Sequence, residues 1–202
     1  LRLLLGIFLL LASVQASVAA GKVALVLSNA KYQHVNELFN PPKDAAAIVE
    51  ALHKAGFENV KLVENADMAG MTRSLQDFAA LADTADVAMI YFAGHGVEVG
   101  DENFLIPVNA RLAKSSDVHF EAVQLALVRQ AVSGADKIGI VVLDACRNNP
   151  FKLASAKGGR SAGRGLAAVE TTGSELIAYS AKEGTIAQDG PQNGNSPFAT
   201  AM

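Results

Sequence analysis

Cysteine, aromatic rings and net charge are all scarce in this sequence. Its 202 residues include one cysteine, no tryptophan and only 6% aromatic side chains. A single cysteine excludes an internal disulfide. A lone thiol in an exported chain marks either a reactive group or an intermolecular pair. The formal net charge is −3, and no basic stripe with interleaved aromatics occurs, so nucleic acid is not expected as a partner. The few rings leave base stacking little to work with. The sequence calls for no cofactor: Asp83, Asp86, Asp101 and Glu102 do not space out as a calcium-binding ladder, no metal cluster is evident, and calcium dependence is not legible. No internal repeat is visible.

What is present starts with an apolar leader. Arg2 gives a short positive region, Leu3 to Leu11 an apolar core, and Ala12 to Ala20 a small-residue tail with two A-x-A-like cleavage sites. This pattern reads as a secretory signal peptide over residues 1–20. An uncleaved membrane anchor is the alternative, and membrane contact is expected only in that case. The apolar core is shorter than the ~20 residues a spanning helix needs. The expectation is therefore a secreted or periplasmic protein with one folded domain over residues 21–202, a length that suits one domain at about 100–200 residues each. The initiating methionine is absent, and Ser196-Pro197 reads as the N-cap and first position of a helix that stops before it is fully written. The sequence thus reads as clipped at the front and at the C-terminus.

Apolar runs at Lys22–Leu27, Val60–Val63, Val87–Phe92, Ile138–Leu143 and Glu175–Ser180 predict strands. Helical spacing predicts a helix opened by Asn40-Pro41-Pro42, with Asp44 suited to its positive end and Gly56 at its close. A second helix is predicted over Met68–Ala82, with Met71, Leu75, Phe78 and Leu81 on one face, and a third over Phe120–Val132. Asn103–Pro107 suggests a small hairpin with Gly96 to Gly100. Strands alternating with helices predict an α/β fold, a mostly parallel sheet with helices on both faces. Tyr32 and Phe39 read as core aromatics, with the wall of a cleft as the alternative.

Two of the predicted strands lead directly into reactive side chains. Val87–Phe92 runs into Ala93-Gly94-His95-Gly96, and Ile138–Leu143 runs into Asp144-Ala145-Cys146-Arg147. Sites in parallel α/β sheets lie outside the carboxyl ends of the strands. His95 and Cys146 are both expected just past such ends, which would put a base beside a nucleophile. The other histidines, His34, His53 and His119, lack such flanks and read as surface or structural.

His95 precedes Cys146 by about 50 positions, the interval that separates the same two residue types in caspases. Tyr91-Phe92-Ala93-Gly94-His95-Gly96 and Leu143-Asp144-Ala145-Cys146-Arg147-Asn148-Asn149-Pro150-Phe151 carry the likeness. On these motifs the chain resembles the caspase/metacaspase superfamily, most closely its bacterial caspase-like (orthocaspase) branch. The resemblance implies a caspase-like three-layer sandwich. It also implies a cysteine-type endopeptidase acting on peptide or protein substrates, with Cys146 as nucleophile and His95 as base. The oxyanion hole would be the backbone N–H groups of Gly96 and Cys146. Metacaspase-like proteins carry Asp two residues before the nucleophile, where it helps line a pocket for Arg or Lys. Asp144 stands there, and a carboxylate favours a cationic side chain through charge-assisted hydrogen bonds. Asp189 resembles a second acidic position, with a plain Asp-Gly turn as the alternative. Tyr179 and Ser180 resemble the segment beside which an extended substrate lies.

Lys152 to Gly165 reads as a flexible loop, and the resemblance implies that it separates the large and small subunit portions of the domain. It carries Lys152, Lys157, Arg160 and Arg164 and no acidic residue. These are candidate self-cleavage positions, and a solvated basic linker is the alternative. A catalytically silent binding or scaffold module on the same fold is the rival functional reading. The oligomeric state is not legible.

Overall fold

The computed structural model describes residues 21–146, 166, 167, 169, 171, 173–180 and 194–202, and of Cys146 the backbone alone. Five parallel strands form its centre: β1 (Lys22–Ser28), β2 (Asn59–Glu64), β3 (Val87–Val99), β6 (Ile138–Cys146) and β7 (Glu175–Tyr179). Their spatial order is β2-β1-β3-β6-β7. Two short strands, β4 (Glu102–Leu105) and β5 (Val123–Gln124), extend the sheet antiparallel from the far half of β3. The helices are α1 (Pro41–Lys54), α2 (Met68–Ala82), α3 (Val118–Glu121), α4 (Leu125–Val132) and α5 (Pro197–Ala201).

Successive side chains on a strand point to opposite faces, and both faces here are apolar. On one, Leu25, Leu27, Ile90, Phe92, Val141 and Leu143 pack with Met71, Leu75 and Phe78 of α2 and with Leu125 and Val128 of α4. On the other, Ala24, Val26, Met89, Tyr91 and Val142 meet Ala45, Ile48 and Leu52 of α1, with Phe198 of α5 at the margin. The result is the expected three-layer α/β sandwich. Burial on both faces explains why the central strands read as continuous apolar runs rather than alternating ones.

Local chemistry sets the ends of these elements. Asp67 caps α2, its carboxylate accepting from the Gly70 N–H at 2.7 Å. Gly56 closes α1 at φ +83°. The hairpin between β3 and β4 turns on Gly100 and Asp101, at φ +63° and +65°, as a two-residue turn between twisted strands requires. Ser196 caps α5, accepting from the Ala199 N–H at 3.0 Å, with Pro197 opening the helix.

Three expectations are corrected. β3 does not end at Phe92 but runs through His95 to Val99, and β6 runs through Cys146; the two residues lie in strands, not past them. The helix expected over Phe120–Val132 is broken: Val123 leaves helical geometry to pair with Leu105 and is fully buried. Phe39 is 65% exposed and packs in no core.

Candidate active site

Among the described residues, the last pair of the parallel ladder between β3 and β6 is His95 opposite Cys146. Sheet register therefore places the two residues side by side on adjacent strands. The two residues singled out in the sequence are thus register partners.

His95 is 5% exposed. Its backbone N–H donates to the Tyr32 hydroxyl at 2.7 Å, and its carbonyl accepts from the Ile106 N–H at 3.0 Å. Its ring lies 4.5 Å from that of Tyr32, tilted by 46°. Gly96 follows in a tight space: a Cβ there would stand 3.1 Å from Leu166 and 3.2 Å from Ala145, so those side chains would have to give by a few tenths of an ångström.

Two positions before Cys146, Asp144 sits opposite Ala93. Its Oδ2 accepts from the Tyr91 hydroxyl at 2.9 Å and from the Ser196 hydroxyl at 2.7 Å. Its Oδ1 takes no hydrogen bond among the described residues. The Ser196 backbone N–H donates to Asp44 Oδ1 at 2.8 Å, and Asp44 is 3% exposed. Two carboxylates, one from α1 and one from β6, are thus tied to a single serine. Tyr91, wholly buried beside them, has its phenol pushed well above the ordinary range. Burial is the main cause, followed by the Asp144 charge, the hydrogen bond to Asp144 and the Asp44 charge.

Sequence reasoning assigned Asp44 only to the helix dipole. The signal that marks it is its position: Pro41, Asp44, Ala45, Ile48 and Leu52 form the buried face of α1, so an acid interrupts an otherwise apolar stripe. Tyr32 was expected in the core, where it is, but its hydroxyl contact with His95 had no signature in the sequence. Tyr179 pairs with Leu143 at the end of β7. The Ser180 N–H donates to the Leu143 carbonyl at 2.9 Å, and the Ser180 hydroxyl is buried with no partner among the described residues. Asp189, Lys152, Lys157, Arg160 and Arg164 lie outside the described residues.

The other histidines serve local packing. His53 bonds the Phe57 carbonyl at 3.3 Å, His34 accepts from Arg111 Nε at 3.2 Å, and His119 meets the Phe104 ring edge-on. Among the described residues no three of His, Cys, Asp and Glu gather closely enough to hold a metal ion, and no helix is long and apolar enough to cross a membrane.

The family model described as Caspase domain matches residues 21–202. The chain belongs to this family. The caspase domain is also similar to Mucosa-associated lymphoid tissue lymphoma translocation protein 1 from Homo sapiens, at 29% identity over 131 residues. The homolog from Mus musculus matches at 29% over 131 residues as well. Each alignment takes in 64% of this chain but 15% of the relative, so the caspase domain spans a small part of the length of these proteins. The family supplies the protease class; the register pair His95–Cys146 and the Asp44–Ser196–Asp144 cluster are what this chain places at the same end of its sheet.

Proposed function

We propose that this chain is an exported bacterial cysteine endopeptidase that cleaves after Arg or Lys. The observation that carries the reading is the pairing of His95 with Cys146 in the β3–β6 ladder. In this reading Cys146 attacks the scissile carbonyl as a thiolate, and His95, holding the thiol proton, delivers it to the departing amine. Water then hydrolyses the thioester, with His95 as base. The oxyanion is held by the Gly96 and Cys146 N–H groups. Gly96 has no Cβ, which favours close approach of its backbone to a bound carbonyl.

Asp144 and Asp44 support a basic preference. Two carboxylates joined through Ser196 make an acidic point two residues from the nucleophile, and Asp144 Oδ1, which takes no hydrogen bond among the described residues, is an acceptor for a guanidinium or ammonium group. Ser180, whose hydroxyl has no partner among the described residues, and Tyr179 line the path of an extended peptide.

The test is cleavage of fluorogenic peptides ending in Arg, Lys or Asp by the parent chain and its Cys146→Ala variant. Release after Arg or Lys that vanishes in the variant is expected. Release after Asp alone contradicts the pocket assignment, and no release from any peptide favours a silent binding module.

A further inference from the structure

His95 occupies the point where β3 exchanges one neighbour for another. On one edge β1 ends with Ser28 opposite Ala93, and β4 begins to pair at Gly96, opposite Leu105. Between these pairs no strand lies beside His95 on that edge. A buried backbone N–H left without an acceptor is costly, and here a side chain supplies one. The Tyr32 hydroxyl accepts from the His95 N–H at 2.7 Å and donates to the Ile106 carbonyl at 3.3 Å. The Ile106 N–H returns to the His95 carbonyl at 3.0 Å. Three residues thus close a ring of hydrogen bonds around the His95 backbone.

The surroundings are built to hold that ring. Asn29, fully buried, adds a second donor to the Ile106 carbonyl at 3.1 Å, while its own N–H donates to the Ala93 carbonyl at 2.9 Å. Tyr32 is 6% exposed. Gly94 leaves the room that the phenol fills: a Cβ there would stand 2.7 Å from the Tyr32 hydroxyl and 3.2 Å from the Asn29 carbonyl.

We infer that Tyr32 is a positioning residue for His95, its hydroxyl standing in for the missing strand and fixing where the imidazole meets Cys146. The inference rests on the proposed Cys146–His95 pair. Removing the hydroxyl leaves the His95 N–H buried without its acceptor and frees the strand end to shift, and a shift of about 1 Å in a catalytic group can cost on the order of 100-fold in rate.

Cys146 is the single cysteine, so its alkylation by iodoacetamide across pH reads the pair without any substrate. In the parent the thiolate is expected to form below the free-thiol pKa of about 8.5, and His95→Ala is expected to return the profile to that value. Tyr32→Phe, which keeps the ring, is expected to move the midpoint toward the same value and to slow alkylation at neutral pH about 10-fold. The folded fraction is followed by thermal unfolding. A folded Tyr32→Phe chain whose profile superimposes on the parent's overturns the inference alone. A parent profile at the free-thiol value, unmoved by His95→Ala, removes the pair itself and the inference with it. If Tyr32→Phe does not fold, a ring-fluorinated tyrosine at position 32 keeps the shape and changes the hydroxyl's acidity; a shifted profile supports the inference and an unshifted one overturns it.

Discussion

Ser196 donates its hydroxyl to Asp144 at 2.7 Å, joining the cap of the C-terminal helix to the residue two positions before the single cysteine. The same serine holds Asp44 through its backbone N–H at 2.8 Å. The helix end and the acidic cluster are therefore one structure, and disturbing the cap disturbs the cluster.

Ser196→Ala removes one donor to Asp144 and the cap of α5 while leaving the Asp44 contact in place. A lost cap costs about 1–2 kcal/mol, to be read from denaturant unfolding. If the cluster receives a cationic side chain, KM for Arg peptides rises by about 10-fold, equivalent to about 1.4 kcal/mol, with kcat changing less. Ser196→Thr, which keeps the hydroxyl, is expected to restore most of both.

Tyr91 gives a pH prediction. Its phenol pKa is raised in the folded chain by burial and by Asp144 and Asp44, whereas in the unfolded chain it ionises near 10. Above that pH the unfolded state binds fewer protons than the folded one. The Tyr91 contribution is thus fully present below pH ~10 and is lost as pH rises beyond it. Alkaline titration by ultraviolet absorbance should show a phenolate that appears only with unfolding. Tyr91→Phe should reduce that step by one phenolate; a Tyr91 that ionises reversibly in the folded chain contradicts the geometry.

At the opposite end of β7, Arg129 of α4 forks onto Glu175 with bonds of 2.8 and 2.7 Å. The two side chains are 29% and 15% exposed, so this pair is shielded more than an ordinary surface ion pair. Glu175→Gln is expected to destabilise the fold by about 1–3 kcal/mol, measured by chemical denaturation. Its distance along the strand from Ser180 predicts unchanged kcat/KM at temperatures where the chain is folded. A large activity loss without a stability loss would tie this end of the sheet to the site.

The basic segment holding Lys152, Lys157, Arg160 and Arg164 supplies a fourth test. A protease that prefers basic residues should cut itself there during incubation, and sequencing of new N-termini should place the cut after one of the four. The Cys146→Ala chain should remain whole. An active parent that stays intact argues for a plain linker.

Burial made most of the fold legible. The central strands are buried on both faces and so read as unbroken apolar runs, and α2 carries the expected stripe of Met71, Leu75 and Phe78. Tertiary pairing hid the rest. Gly94 and Gly96 look like the end of a strand, yet β6 on one side and the Tyr32–Ile106 bonds on the other hold β3 extended through them. Val123 keeps helical spacing with its neighbours but is claimed by Leu105. His95 and Cys146 stood out because apolar strand runs lead into both. Ser196 was legible as a helix cap, but its contact with Asp44 was not, because 152 positions separate the two.

The most direct test of the account is covalent trapping. A peptidyl-arginine acyloxymethyl ketone, incubated with the parent chain and followed by peptide mapping in the mass spectrometer, is predicted to leave one adduct, on Cys146. The adduct should form far more slowly in His95→Ala and should not form with the matching aspartyl compound. Equal labelling by the arginyl and aspartyl compounds, or labelling of Cys146 that His95→Ala leaves unchanged, would contradict the account.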